Sequence, residues 1–298
     1  MATIAKPLSE SSDSQQVPTL SWKPIAWFGG LLVLCYATVL GRLVSEWWGS
    51  EDMGHGFFVP VVAAFIVWQR RKDLAAVETK ANYWGLPLVL LGALMLTLGT
   101  LGAERFIAQV AFITSLAGVV LLTAGAKVFK LVLFPMFLLC FMIPIPQTIY
   151  SHITLPLQIF ASAVAETVLG WFGIPVLRHG NELELPGRVL NVVEACSGIR
   201  SLISLSFLAL VYGYFFDREV WMRWALLFFT IPVAITANAA RVTVTGLLSN
   251  ANPDLAEGLP HKIEGLVLFA VAIGLLVGVH RLLHVIHKRF RRKEPANA

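Results

Sequence analysis

The chain has 298 residues, of which 57% are hydrophobic and 14% charged, with a net charge of +5 and three cysteines. A soluble domain carries about 25% charged residues, so this composition excludes one and specifies an integral membrane protein. The positive residues sit in short loops and a tail, which is how membrane helices are oriented and not how nucleic acid is bound. Membrane lipid is therefore an expected partner, and nucleic acid is not.

Residues 1–24 contain the polar run S-E-S-S-D-S-Q-Q and are expected to form a disordered cytoplasmic N-terminus. They lack the basic start and apolar core of a cleaved signal peptide, so the first apolar run should stay in the protein. A membrane span needs about 20 apolar residues, and stretches of that kind fall at 25–44, 84–103, 106–123, 128–145, 152–174, 197–216, 224–248 and 263–286. A shorter one at 56–69 holds Pro60 and ends in Q-R-R-K. Residues 25–286 thus read as one transmembrane domain, and 287–298 as a basic cytoplasmic tail.

Charge decides how these segments cross. With the N-terminus, loops 69–83, 124–131 and 217–223 and the tail inside, the cytoplasmic side holds fifteen Lys and Arg residues. The outer side then holds four, namely Arg105, Arg178, Arg188 and Lys262, as the positive-inside rule requires. The arrangement works only if 152–174, which carries Pro156, Gln158 and Glu166, lies in the outer interface or is re-entrant. The expected fold is all-α and polytopic, with about eight spans and both termini inside. The outer loop 175–195 alternates polar and apolar residues, which predicts a short extracytoplasmic hairpin.

Cys35 and Cys140 lie within apolar runs and read as small buried hydrophobes. No Cys-x-x-Cys or Cys/His cluster is present, so neither a disulfide framework nor a zinc site is expected. Cys196 differs. It stands in N-V-V-E-A-C-S-G-I-R-S-L at the outer, N-terminal end of an apolar run, beside Glu194 and Arg200. The same topology brings Arg241, in the outer third of its segment, and His261, in G-L-P-H-K, to the same membrane face.

A thiol is nucleophilic as thiolate, which a helix N-terminus or a nearby cation favours. His261 has a side chain of the type that passes protons near neutral pH. Arg241 shares a helix face with Asn238 and Thr245 and has the donors to stabilise a thiolate or an oxyanion. Together these groups would support acyl transfer through a thioester. Each has a plainer reading: Cys196 and His261 as structural residues, Arg200 as an anchoring cation, and Arg241 as a partner for Glu194 or a lipid phosphate. Glu264 suits either the orientation of His261 or a helix-start carboxylate.

The runs V-V-E-A-C-S-G-I-R-S-L, I-P-V-A-I-T-A-N-A-A-R-V and G-L-P-H-K-I-E-G-L-V-L-F, with F-M-I-P-I-P, L-P-L-Q-I-F-A-S, G-I-P-V-L-R-H-G-N and the early G-H-G-F-F-V-P, closely resemble the exosortases, membrane-embedded cysteine transpeptidases of bacteria. The resemblance covers roughly residues 45 to 285. It implies Cys196, Arg241 and His261 as the catalytic trio; Asn238, Glu264 and Arg200 are expected in support, and no cofactor or metal is expected. It assigns no role to His55.

It further implies a bacterial inner-membrane enzyme whose active site faces the periplasm. The implied substrates are proteins with a PEP-CTERM tag, made of a Pro-Glu-Pro motif, one membrane helix and a basic cluster. They would be cut near the motif and passed to an unknown acceptor, in systems linked to exopolysaccharide and biofilm export. The rival reading is a non-enzymatic transporter or assembly component for polysaccharide, with Arg241 and His261 lining a path for an anionic sugar-lipid.

Overall fold

The computed structural model describes residues 22–192, 198–217, 219–252 and 258–291, apart from the side chains of Trp22, Lys23, Glu51, Asp52, His261, Lys262, Phe290 and Arg291. The segment holding Glu194 and Cys196, most of the N-terminus 1–24, and residues 292–298 of the tail lie outside the described residues. The chain divides into two compact units, 1–49 with 56–143 and 50–55 with 144–298.

The first unit contains α1 (Trp22–Cys35), α2 (Ala37–Gly49), α3 (Phe58–Gln69), α4 (Arg71–Ala76), α5 (Gly85–Leu101) and α6 (Arg105–Leu138). The single apolar run expected at 25–44 is two helices bent by 70° at Tyr36. The Tyr36 hydroxyl donates toward the carbonyls of Gly92 and Ala111, at 3.2 and 3.1 Å, and lies 2.8 Å from Ser115 Oγ. A phenol inside an apolar bundle needs such partners.

Helix α5 lies antiparallel against α6 along a seam of small residues. A Cβ on Gly85 would strike Gly118 O at 2.5 Å, one on Gly92 would strike Ser115 Oγ, and one on Gly99 would sit 2.7 Å from Ala108 N. Membrane helices gain their packing from such close backbone approach.

Helix α6 is continuous by hydrogen bonding but turns at Gly125, whose φ of 85° and ψ of 176° are non-helical. A side chain there would be strained, and its Cβ would also meet the carbonyl of Lys80. Glu46 accepts from Arg105 Nη1 at 3.1 Å, while the next residue, Trp47, donates to the carbonyl of Met142 at 2.9 Å. A straight helix would hold Arg105 and Met142 roughly 55 Å apart. The chain therefore doubles back at Gly125, between the segments read as 106–123 and 128–145.

The second unit holds α7 (Gln147–Trp171), strands β1 (Leu177–His179), β2 (Glu182–Leu185) and β3 (Arg188–Asn191), and helices α8 (Ile199–Phe216), α9 (Val220–Ala251) and α10 (Gly258–Arg291). The expected hairpin is a three-stranded antiparallel meander, β1-β2-β3. Leu183, Leu185, Leu190 and Val192 bury one face of it against Ala161, Ala165 and Leu169 of α7 and Ala239 and Val242 of α9. Arg178 of β1 donates to Glu166 of α7 at 2.8 Å, which accounts for that carboxylate.

Among the described residues five helices are long and apolar enough to cross a membrane, or six with the bent pair at Tyr36 counted as one. The count of about eight is thus not reproduced, for three physical reasons. Helices α3 and α5, with 12 and 17 residues, fall short; the folded α6 counts once; and α7, expected to stay in the interface, reaches 25 residues. The C-terminal part of α7 runs parallel to α9: Leu157 lies beside Ala234 and Asn238, and Leu169 packs on Gly246. Cys35 and Cys140, expected to be buried, are exposed.

Candidate active site

Three helices of the second unit meet below the β-meander. Strand β3 runs toward the segment 193–197, and α8 begins after Gly198, whose φ is +44°. That conformation favours glycine, and a Cβ there would also lie 3.1 Å from the amide nitrogen of Asn238. Asn238 is 5% exposed, so the start of α8 is seated on a buried amide of α9.

One turn further along α9 stands Arg241, half-buried, about 15 Å from the helix end at Ala251. Its guanidinium lies flat against Gly265 of α10, where a Cβ would be 3.1 Å from Nη2 and 3.3 Å from Cζ. A cavity of about 20 Å3 remains between the helices, lined by Ser201, Asn238, Arg241, Gly265, Phe269 and their neighbours. That is room for a water molecule beside the guanidinium.

Another turn on, buried Thr245 donates to the Glu264 carboxylate, 2.9 Å from Oε1 and 3.1 Å from Oε2. Asn238, Arg241 and Thr245 therefore form one polar stripe on α9, as their spacing predicted, and they meet Gly198, Gly265 and Glu264 respectively. The helix-start reading of Glu264 fails. Helix α10 begins at Gly258, with φ of +62° there and Pro260 in its first turn, so Glu264 is in the second turn. Proline is well tolerated at a helix start because its missing N–H has no partner there.

His261 belongs to the first turn of α10, one turn before Gly265, and its side chain lies outside the described residues, as does Cys196. Arg200 is half-buried in the first turn of α8. His55, from the early M-G-H-G run, pairs through Nδ1 with Ser204 Oγ at 3.3 Å, one turn along α8 from Arg200. Gly265 as a platform for the guanidinium and Ser204 as a partner for His55 went unnoticed in the sequence. A small residue in a helix carries no mark of what packs on it.

A polytopic membrane protein with a half-buried arginine, a buried amide and a buried carboxylate gathered at one end of three helices is the class that this fold and site define. The family model of the transmembrane exosortases matches residues 47–278. The chain belongs to the exosortases, a family of membrane transpeptidases. No curated protein and no solved structure matches it.

Proposed function

We propose that this protein is a cysteine transpeptidase of a bacterial inner membrane, with its active site facing the periplasm. Cys196 is the nucleophile, His261 the general acid and base, and Arg241 the donor to the oxyanion; Asn238, Glu264 and Arg200 position them. The observation that carries the reading is the junction of α8, α9 and α10, where Asn238 seats Gly198, two residues after Cys196, and Arg241 lies on Gly265, four residues after His261. The chain neighbours of Cys196 and His261 thus reach the junction that holds Arg241, which supports the reading. In this reading the chain crosses eight times, with both termini inside.

In the first half-reaction the Cys196 thiolate attacks the scissile carbonyl. The oxyanion that forms is met by the Arg241 guanidinium, whose fixed planar donors suit it. The intermediate collapses as the C–N bond breaks, the leaving amine takes the proton of the His261 imidazolium, and a thioester remains. An acceptor nucleophile then gives its proton to His261, attacks the thioester and releases the thiolate. The substrates are proteins with a PEP-CTERM tag, whose own membrane helix delivers the scissile bond at the outer face, so that tethering replaces a deep pocket. The exported products belong with an exopolysaccharide system.

The test is processing of a tagged substrate in membranes. Cys196→Ala should insert normally and abolish processing, and Cys196→Ser should be nearly as poor, since a hydroxyl needs a stronger base. Cys35→Ala and Cys140→Ala should leave processing unchanged. Normal processing by Cys196→Ala would end the covalent mechanism.

A further inference from the structure

At the opposite end of α8, α9 and α10 from Arg241, a second polar cluster closes the helices. Asp217 ends α8 and is 5% exposed. His280 Nε2 lies 2.9 Å from its Oδ2 and His284 Nε2 lies 2.8 Å from its Oδ1. The two histidines are one turn apart on α10, with ring centroids 4.7 Å from each other. One ligand atom from each of the three residues falls within 4.8 Å of the others. About 22 Å of helix separates His280 from Gly265, so this cluster is distinct from the candidate active site.

A buried carboxylate between two imidazoles admits a plain explanation, an ordinary hydrogen-bonded ion pair. His284 fits it, since its contact with Asp217 Oδ1 is a hydrogen bond. His280 does not. Its Nε2 and Asp217 Oδ2 are both buried and 2.9 Å apart, an ion-pair distance, but they are not aligned as a hydrogen bond. A buried pair whose hydrogen-bonding capacity is left unused is costly, and a third species between the two atoms would use it.

The other nitrogen of His280 is already engaged. Nδ1 lies 3.1 Å from the hydroxyl of Tyr212; with that hydroxyl accepting from Nδ1–H, as an outer contact of a metal-binding histidine does, Nε2 is left as the ligand. Asp217 is held too, because Arg223 donates to its backbone carbonyl from Nε at 3.2 Å and Nη2 at 2.7 Å.

We propose that Asp217, His280 and His284 bind a divalent transition-metal ion of the zinc class. Two imidazoles and one carboxylate are a common donor set for such ions, with bonds of about 2.0–2.2 Å. Ligand atoms in a tetrahedral site of that size are about 3.3 Å apart, so the two His–Asp pairs would open by a few tenths of an ångström, while the widest separation, within 4.8 Å, would close onto the ion. His284, whose side chain is 40% exposed, gives the ion a route in, and water fills the fourth position. The bound ion would fasten the α8–α9 turn to α10 at the end of the bundle remote from acyl transfer.

The full-length chain, purified in detergent with an affinity tag free of histidine, is dialysed against chelator-treated buffer and its metal content measured. It should retain about one zinc per chain, and Co2+ added to stripped protein should give the ligand-field absorption of a four-coordinate site. His284→Ala removes a partly exposed ligand and so spares folding; it and Asp217→Asn should each abolish the cobalt spectrum. Tyr212→Phe should keep the spectrum and weaken Co2+ binding by roughly 10- to 100-fold, the scale of an outer-contact loss. No zinc and no cobalt spectrum in the parent protein, or an unchanged spectrum in His284→Ala, would overturn the assignment.

Discussion

A guanidinium about 15 Å from the end of a membrane helix is costly to place and is normally kept for function. If Arg241 supplied only positive charge, lysine would serve, since it too can reach toward the interface. The flat contact with Gly265 favours a planar group held in one orientation. Arg241→Lys should therefore lose on the order of a hundredfold or more in rate, the scale of removing one oxyanion donor, while substrate crosslinking is retained. Near-normal cleavage by that variant would reduce Arg241 to a charge partner. Gly265→Val tests the same surface from α10. Its side chain would occupy the face on which the guanidinium rests, so cleavage should fall while the protein accumulates normally. Arg241 and Asn238 were legible because a charge and an amide within an apolar run are conspicuous at helical spacing. Gly265 was not, because its importance comes from a residue on another helix.

Packing of whole elements in the first unit depends on glycines seven residues apart. Gly85, Gly92 and Gly99 meet Gly118, Ser115 and Ala108 in antiparallel order, and Tyr36 ties both helices together at the middle contact. Gly92→Val should drive a side chain into Ser115 and the Ala111 carbonyl and lower stability by about 2–3 kcal/mol, read as an earlier unfolding transition in detergent. An unchanged transition would show that α5 and α6 separate freely. Hydrophobic runs located most of these helices in the sequence, yet they mark neither bends nor partners. Tyr36, where α1 and α2 diverge, is no helix breaker, and the turn at Gly125 is set by one backbone conformation within a run that stays apolar. Alternation in E-L-E-L-P-G-R-V-L-N announced β2 and β3, whereas the third strand, Leu177–His179, carries only three residues of pattern. The His280–His284 pair went unread in the sequence, and Asp217 completes that group from 63 residues away.

Across the whole molecule, charge and helix length give different answers for α7, and each unit can be weighed by itself. In the first, Gly125 lies beside Lys80, and Lys127 pairs with Glu78 at 3.7 Å. The end holding Arg70, Arg71, Lys72, Lys80, Lys127 and Lys130 is thus strongly basic, and Met142 emerges beside Trp47 at the end where Arg105 stands. In the second, Arg223, Lys288, Arg289 and Arg291 are at the Asp217 end, against Arg178, Arg188 and Lys262 at the Gly198 end. If the positive-inside rule holds for each unit, Met142 and the β-meander would both be outside, and α7 would begin and end on the same side although its 25 residues would reach about 37 Å. Reporter fusions after Pro146, Gly180 and Asn252 should all read as extracytoplasmic, and those after Lys80 and Glu219 as cytoplasmic. A cytoplasmic reading at Pro146 with an outer reading at Gly180 would make α7 a true span and put the N-terminus outside or remove one crossing upstream. A cytoplasmic reading at both Gly180 and Asn252 would place Arg241 and Gly265 on the wrong face for exported substrates, and acyl transfer at the periplasmic surface would have to be abandoned.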